Sequence, residues 1–224
     1  MTKIKNAPYK AEMKLFLSTD RLFIMEPSFA AFDSIHKISR KNLVMKFIGD
    51  GSLNTKAKTR LKIKEAKDHF DKFGYSFGPV YEKKTMRFVG QAGIFHLHHD
   101  DNQPNNEIGY RLHPSAFGKG YATELAKGLI AWAFNGDQFF DAVYAIAEPD
   151  NVASQQVLLR AGLTLQSEDE KLKFYKIDRQ AYAAKSSAPE ISRSRLAFYK
   201  PAPVEGLDVS DMEMAKSSFG RRRR

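Results

Sequence analysis

The segment Tyr110-Arg-Leu-His-Pro-Ser-Ala-Phe-Gly-Lys-Gly-Tyr-Ala-Thr-Glu124 carries the clearest chemical signal in the chain. A strand-like stretch leads through a proline-marked turn to Gly118-Lys119-Gly120 and then to a helix start rich in small residues. The first turn of a helix has N–H groups without internal partners and the positive end of the helix dipole. Glycines let that backbone approach a ligand with no Cβ in the way, so the turn can hold a pyrophosphate, with Lys119 adding charge at the rim. It is not a P-loop, because Gly120 follows Lys119 where Ser or Thr is needed. Nor is it a dinucleotide fingerprint, because Thr123 occupies the third glycine position, and Gly49-Asp50-Gly51 fits neither pattern. Alone, a Gly-x-Gly pair describes only a tight strand-to-helix turn. A second cluster, His96, His98 and His99 with Asp100 and Asp101 behind them, is of metal-ligand type, but an exposed strand end accounts for it and no metal is expected.

The elements that must position these residues are legible from periodicity. Leu17–Met25 reads as a strand closed by Pro27. Phe29, Phe32, Ile35, His36 and Ile38 recur at helical spacing, and Ile63, Ala66, Phe70 and Phe73 do so more clearly before Gly74. Tyr75–Glu82 and Phe88–His98 read as antiparallel strands joined by Lys83-Lys84, and Glu107–His113 as a further strand. A helix is predicted from about Gly120 to Phe134, with Ala122, Leu125, Ala126, Leu129 and Ala133 on one face. Phe139–Ala147 is nearly continuously apolar, as in a central strand covered on both faces. Asn151–Ala161 is a short helix ended by Gly162, with Asp150 or Asn151 as its cap, and Leu163–Gln166 and Lys171–Ile177 complete the strands. This order predicts an α/β fold with one mixed sheet in a single domain.

Composition narrows the class. The 224 residues are 42% hydrophobic and 12% aromatic, enough for a real core, and contain no cysteine. That absence excludes disulfides, thiolate metal sites and any covalent cysteine intermediate, and it fits a reducing compartment. No apolar run exceeds the six residues of Leu129–Phe134 or Ala142–Ala147, so no membrane span is expected, and the lysines at 3, 5, 10 and 14 interrupt any secretory signal. A soluble, cytoplasmic protein is expected. Of the net charge of +10, the stretch 184–224 holds nine Lys or Arg against five acids, and it is read as a basic, mostly disordered tail. Nucleic acid is not an expected partner beyond weak attraction through Arg221–Arg224.

Taken in order, Thr19-Asp-Arg-Leu22, Gly90-Gln-Ala-Gly93, Glu107-Ile-Gly-Tyr110, Phe117-Gly-Lys-Gly-Tyr-Ala-Thr-Glu124 and Asn151-Val-Ala-Ser154 followed by Gly162 resemble the GNAT superfamily of N-acetyltransferases. Within it they resemble the RimJ/RimL-like branch, the ribosomal-protein alanine and serine N-acetyltransferases. The resemblance implies a 1–16 extension, a 17–183 acetyltransferase domain and the 184–224 tail. It implies a mixed central sheet with a splay between two parallel strands, here Glu107–His113 and Ala142–Ala147, and helices on both faces.

The resemblance also implies a chemistry. Acetyl-CoA is the expected cosubstrate, with no metal. Its pyrophosphate would lie on the backbone of Phe117, Gly118, Lys119, Gly120, Tyr121 and Ala122, its pantetheine arm beside Leu112 and His113, and its thiol near Asn151 and Ser154. Ser115 stands where the superfamily has Gln or Arg, so this chain's side-chain contacts to phosphate differ. Transfer is expected to be direct, to a primary amine such as a protein N-terminus or a small-molecule amine, in a monomer or homodimer. Glu107 is the candidate base, with His96 or His98 at the acceptor mouth as substitutes. Leu158 replaces the tyrosine acid common in the family, which leaves Ser154, then Tyr175 or water, to protonate the thiolate. A catalytically silent CoA- or protein-binding module is the alternative.

Overall fold

The computed structural model describes residues 13–136 and 140–185. One sheet of eight strands runs through it in the order β1-β2-β3-β4-β5-β6-β8-β7. The strands are β1 (Leu15–Ser18), β2 (Leu22–Met25), β3 (Phe77–Glu82), β4 (Phe88–His96), β5 (Asn106–Leu112), β6 (Ala142–Ala147), β7 (Thr164–Glu168) and β8 (Lys173–Asp178). The helices are α1 (Phe32–Ile38), α2 (Asn42–Met45), α3 (Lys56–Phe73), α4 (Tyr121–Asn135), α5 (Val152–Ala161) and α6 (Arg179–Lys185). This is the mixed α/β sheet the element order predicts.

Several expectations need correction. The stretch read as one strand, Leu17–Met25, is a hairpin, in which Thr19 N–H and Oγ1 bond the Leu22 carbonyl and turn the chain. The helical spacing at Phe29–Ile38 becomes a 3-10 turn, Phe29–Ala31, capped by Ser28, followed by α1. His98 is not in a strand: β4 ends at His96, and His98 and His99 both adopt positive φ. Phe139 lies outside the described residues, as do 1–12 of the expected extension and 186–224 of the tail, while Ala184 and Lys185 still belong to α6.

Two faces of the sheet are distinguished by alternation. On one, Leu22, Ile24, Val80, Ala92, Ile94, Ile108, Leu112, Val143 and Ala145 pack with Leu125, Ala126, Leu129 and Ile130 of α4 and Leu158 of α5. A separate cluster of Ala31, Ile35 and Ile63 holds α1 to α3, with Phe88 of β4 packed against it.

The parallel step lies at the centre. β5 pairs with β4 over seven residues and β6 pairs with β8 over six, yet β5 meets β6 only at Asn106–Val143 and Glu107–Tyr144. Past Glu107 the two strands part. Their neighbours hold them separately, so a V-shaped gap opens within a single sheet.

Candidate active site

Past its last pairing with β6, β5 turns alternate main-chain groups toward the gap. The His113 N–H donates to the Val89 carbonyl at 2.8 Å. In an antiparallel ladder this makes Gly90–Leu112 a non-hydrogen-bonded pair, so the N–H and C=O of Leu112 face away from β4. By the same alternation those of Tyr110 and the carbonyl of Ile108 face the space β6 has left, while the Ile108 N–H is used by the parallel Glu107–Tyr144 pairing, in which it donates to the Tyr144 carbonyl. His113 itself is committed elsewhere, since its carbonyl accepts from the Ala116 N–H at 2.8 Å. Of the two residues expected beside the pantetheine, Leu112 offers free main-chain groups and His113 does not. Tyr110 and the Ile108 carbonyl join Leu112, a feature of strand register that no residue type signals.

At its open end β5 leads to the glycine turn. Gly118 and Gly120 have φ of 71° and 76°, the left-handed region that disfavours side chains. A Cβ on Gly118 would meet nothing within 4 Å, and one on Gly120 only the Arg21 guanidinium at 3.5 Å. These glycines serve backbone conformation, and the space before them is open. The first α4 hydrogen bond runs from Glu124 N–H to the Gly120 carbonyl, leaving the N–H groups of Tyr121, Ala122 and Thr123 without helical acceptors. Phe117 and Lys119 are exposed beside them.

A clamp from the β1–β2 hairpin holds this turn. Glu124 accepts from Thr19 Oγ1 (2.6 Å), Arg21 N–H (2.7 Å) and Arg21 Nε (2.6 Å). Arg21 Nη1 also bonds the Lys119 carbonyl at 2.9 Å, and its guanidinium lies 4.7 Å from the centre of the Tyr121 ring. The Tyr121 hydroxyl donates to Glu82. Two motifs about a hundred residues apart thus fix one helix N-terminus.

At its closed end the gap meets Glu107, the residue at which β5 and β6 last pair. Glu107 keeps some contact with solvent, but the protein around its carboxyl raises its pKa to about 8 through burial, partly offset by a hydrogen bond from the His98 main chain. His98 and His99 sit at φ 60° and 56°, and two successive non-glycine residues in the left-handed region beside a desolvated carboxylate are strain of the kind that collects at functional sites. Burial also lowers the pKa of His98, so its imidazole is neutral at neutral pH.

On the opposite side of the gap, Asn151 caps α5 by accepting from Ser154 N–H at 3.2 Å, and Ser154 Oγ lies 3.0 Å from the Tyr110 hydroxyl. Burial pushes Tyr110 up to about 12, so it acts as a hydrogen-bonding phenol and not as an ion. Tyr175 is buried on the neighbouring strand, opposite Ala145. Leu158 is buried in the core, with no hydroxyl to offer. Ser154 and Asn151 are therefore together at one wall and Glu107 at the apex, while Tyr110, 44 residues from Ser154, is the partner the linear motif concealed.

The histidines do not gather as the sequence suggests. His96 is buried, not at an exposed strand end, and its partner is His69 of α3. His69 Nδ1 lies 2.7 Å from the Tyr75 carbonyl and must carry the proton, so its Nε2 accepts from His96 Nδ1 at 2.9 Å. Asp101 completes a group whose ligand-type atoms lie within 4.8 Å of one another, and Lys72 pairs with Asp101 at 3.2 Å. His99 stacks on Phe95 and His98 meets Phe174, so neither belongs to this group.

A sequence profile described as an acetyltransferase (GNAT) domain matches residues 21–164, more than half of the chain. The chain belongs to the GNAT acetyltransferase family. This acetyltransferase is 24% identical over 149 residues to the Bacillus subtilis protein named uncharacterized N-acetyltransferase YnaD, covering 66% of this chain and 82% of that one. It is 35% identical over 91 residues to Bacillus subtilis YkkB, covering 41% of this chain and 52% of YkkB. Among solved structures, a Bacillus anthracis GNAT acetyltransferase matches with TM-score 0.62 at 21% identity, over 73% of this chain and 98% of its own. RimL, the ribosomal L7/L12 alpha-N-protein acetyltransferase solved with coenzyme A, matches with TM-score 0.62 at 16% identity, over 75% and 99%. At these identities the structural likenesses establish the fold of the acetyltransferase. Among its described residues, no helix is long and apolar enough to cross a membrane.

Proposed function

We propose that the acetyltransferase uses acetyl-CoA to acetylate a primary amine directly, both substrates being bound at once, and that it works in the manner of the RimJ/RimL-like branch. The observation that carries this reading is the gap between β5 and β6, whose unpaired edge leads straight into the glycine turn at α4. A thin, polar pantetheine arm suits a strand edge, and a pyrophosphate suits a helix N-terminus with left-handed glycines. The Ile108 carbonyl and the main chain of Tyr110 and Leu112 would take the arm, and the main chain of Phe117 to Ala122 the pyrophosphate. Bound there, the cosubstrate supplies an activated acetyl thioester.

The side chains divide the proton work. Glu107 takes a proton from the amine, directly or through one water, and its pKa of about 8 matches it to an amine nucleophile. Ser154, hydrogen-bonded to Tyr110, donates to the departing sulfur. A serine hydroxyl is too weak an acid to ionise, so it acts as a donor replenished through Tyr110 and water. The test is thiol release from acetyl-CoA with a panel of amines. Turnover that depends on an amine supports transfer; CoA binding with no thiol release under any amine supports the silent module instead.

A further inference from the structure

His69, His96 and Asp101 come from α3, the end of β4 and the loop between β4 and β5, and they meet with one hydrogen too few. The shortage follows from a chain of four contacts. His69 Nδ1 gives its hydrogen to the Tyr75 carbonyl at 2.7 Å. The Tyr75 hydroxyl gives its own to Asn106 Oδ1 at 2.8 Å, and the Asn106 amide is held that way round because its Nδ2 donates to the Pro104 carbonyl at 2.9 Å. Between these ends stands His96, with Nδ1 2.9 Å from His69 Nε2 and Nε2 3.3 Å from the Tyr75 hydroxyl oxygen. Both contacts need a hydrogen from His96, and a neutral imidazole carries one. With it on Nδ1, Nε2 faces an oxygen lone pair; with it on Nε2, the two imidazoles face each other through bare nitrogens. The His96 side chain is only 8% exposed, so the mismatch is buried, where an unpaired polar atom is costly.

A positive charge closes the chain, and Asp101 says which kind. Its Oδ1 lies 3.5 Å from His96 Nδ1 and 3.9 Å from His69 Nε2. A proton bridges two atoms: on the 2.9 Å line between the nitrogens it leaves the carboxylate beyond hydrogen-bond reach. A metal ion takes all three. Tetrahedral zinc, with ligands at about 2.0–2.1 Å, sets them about 3.3 Å from one another, and the three separations bracket that value. His96 then keeps its hydrogen on Nε2 for the Tyr75 oxygen and turns Nδ1 to the ion, so every contact in the chain is satisfied. The outer groups that orient such ligands are present too. The Tyr75 carbonyl fixes His69, the Tyr75–Asn106 pair fixes His96, and Lys72 holds Asp101 by its other oxygen, Oδ2, at 3.2 Å. The Asp101 side chain is 38% exposed, which gives an ion a way in and leaves the fourth position to the solvent side.

We infer that His69, His96 and Asp101 form a zinc-binding site, with water or another small ligand in the fourth position. The ion would tie α3 and β4 to the β4–β5 loop, the loop whose His98 main chain bonds Glu107. None of its three ligands belongs to the glycine turn or to the β5 edge, so the site is distinct from the one proposed for acetyl-CoA.

The experiment titrates zinc into the chelator-treated full chain against a chromophoric competitor and follows cobalt(II) substitution by visible absorption. One zinc per chain is expected at micromolar affinity or tighter, with a rise in melting temperature and the intense visible bands of four-coordinate cobalt. His69→Gln, His96→Gln and Asp101→Ala should each weaken zinc binding at least tenfold, whereas His36→Gln, outside the cluster, should leave it unchanged. Asp101→Ala alters a half-exposed loop residue, so it keeps the test decisive if a histidine variant fails to fold. Zinc held no tighter than millimolar, or held equally well by the three ligand variants, would overturn the inference. So would nitrogen NMR of the metal-free chain showing an imidazolium at pH 7 that zinc does not displace, because the missing charge would then be a proton.

Discussion

Glu107→Gln separates proton transfer from every other role this residue could have. Gln keeps the shape and one hydrogen-bond acceptor for the His98 main chain but takes no proton. Removal of a positioned general base costs roughly 10²–10⁴ in rate when the base is ionised. With burial raising Glu107 to about 8, only about a tenth of the wild type holds the ionised form at pH 7. The expected deficit is therefore about 10–10³ at pH 7. It should widen as the wild-type kcat climbs through pH 8, and narrow again only where the amine loses its proton unaided. The variant should lack the wild-type inflection near 8. Stability supplies an independent readout of the same carboxyl. Its folded pKa lies above the unfolded value of 4.5, so the native state holds the proton longer, and wild-type stability should fall relative to the variant as pH rises from 4.5 through about 8. Stopped thiol-release assays and melting curves across pH 5–9 measure both. A variant that keeps the inflection near 8, or that turns over within threefold of the wild type at pH 7 and 9, refutes the reasoning and moves the base to water or His98.

Gly120→Glu forces a side chain and a negative charge into a left-handed position at the turn, and calorimetry should show CoA binding lost from a folded protein; unchanged affinity contradicts it. Ser154→Ala and Tyr110→Phe each remove the same 3.0 Å hydrogen bond, so each should slow transfer by about 1–3 kcal/mol and the double variant should be far from additive. Glu124→Ala removes the acceptor for Thr19 and Arg21 and should cost about 1–3 kcal/mol of stability by denaturant titration, together with weaker CoA binding. Burial lowers the pKa of His69 and His96, so the unfolded chain binds protons first; stability should be full above about 6.5 and fall as pH drops below it, less steeply in His69→Gln.

How far the sequence reached depended on whether a feature is local. Long amphipathic runs such as Lys56–Phe73 and Tyr121–Asn135 declare themselves, because their apolar spacing and terminal glycines act within one element. The β1–β2 hairpin does not, since Thr19-Asp20 lacks a turn glycine and the two apolar runs it joins merge into one. The glycine turn is visible as a motif, whereas the reason it stays rigid, the Arg21–Glu124 clamp, links residues 103 apart. Tyr110 looks like one more aromatic in a strand until α5 brings Ser154 against it. His69 is an ordinary helix residue until β4 sets His96 beside it, 27 residues on. Arg111 is the extreme case. Alternating with Tyr110 and Leu112 it reads as solvent-facing, whereas the β4–β5 register half-buries it and brings its Nε and Nη2 to Gln91 Oε1.

The most direct measurement of the central claim is residue-resolved amide hydrogen exchange with and without acetyl-CoA. The N–H groups expected to gain protection are those of Tyr110 and Leu112 on the β5 edge and those from Gly118 to Ala122 at the turn, while the Ile108 N–H, already bonded to Tyr144, and the His113 N–H, already bonded to Val89, should change little. Protection confined to other segments, or none at acetyl-CoA concentrations that saturate the protein, would contradict the assignment of the β5–β6 gap as the cosubstrate site.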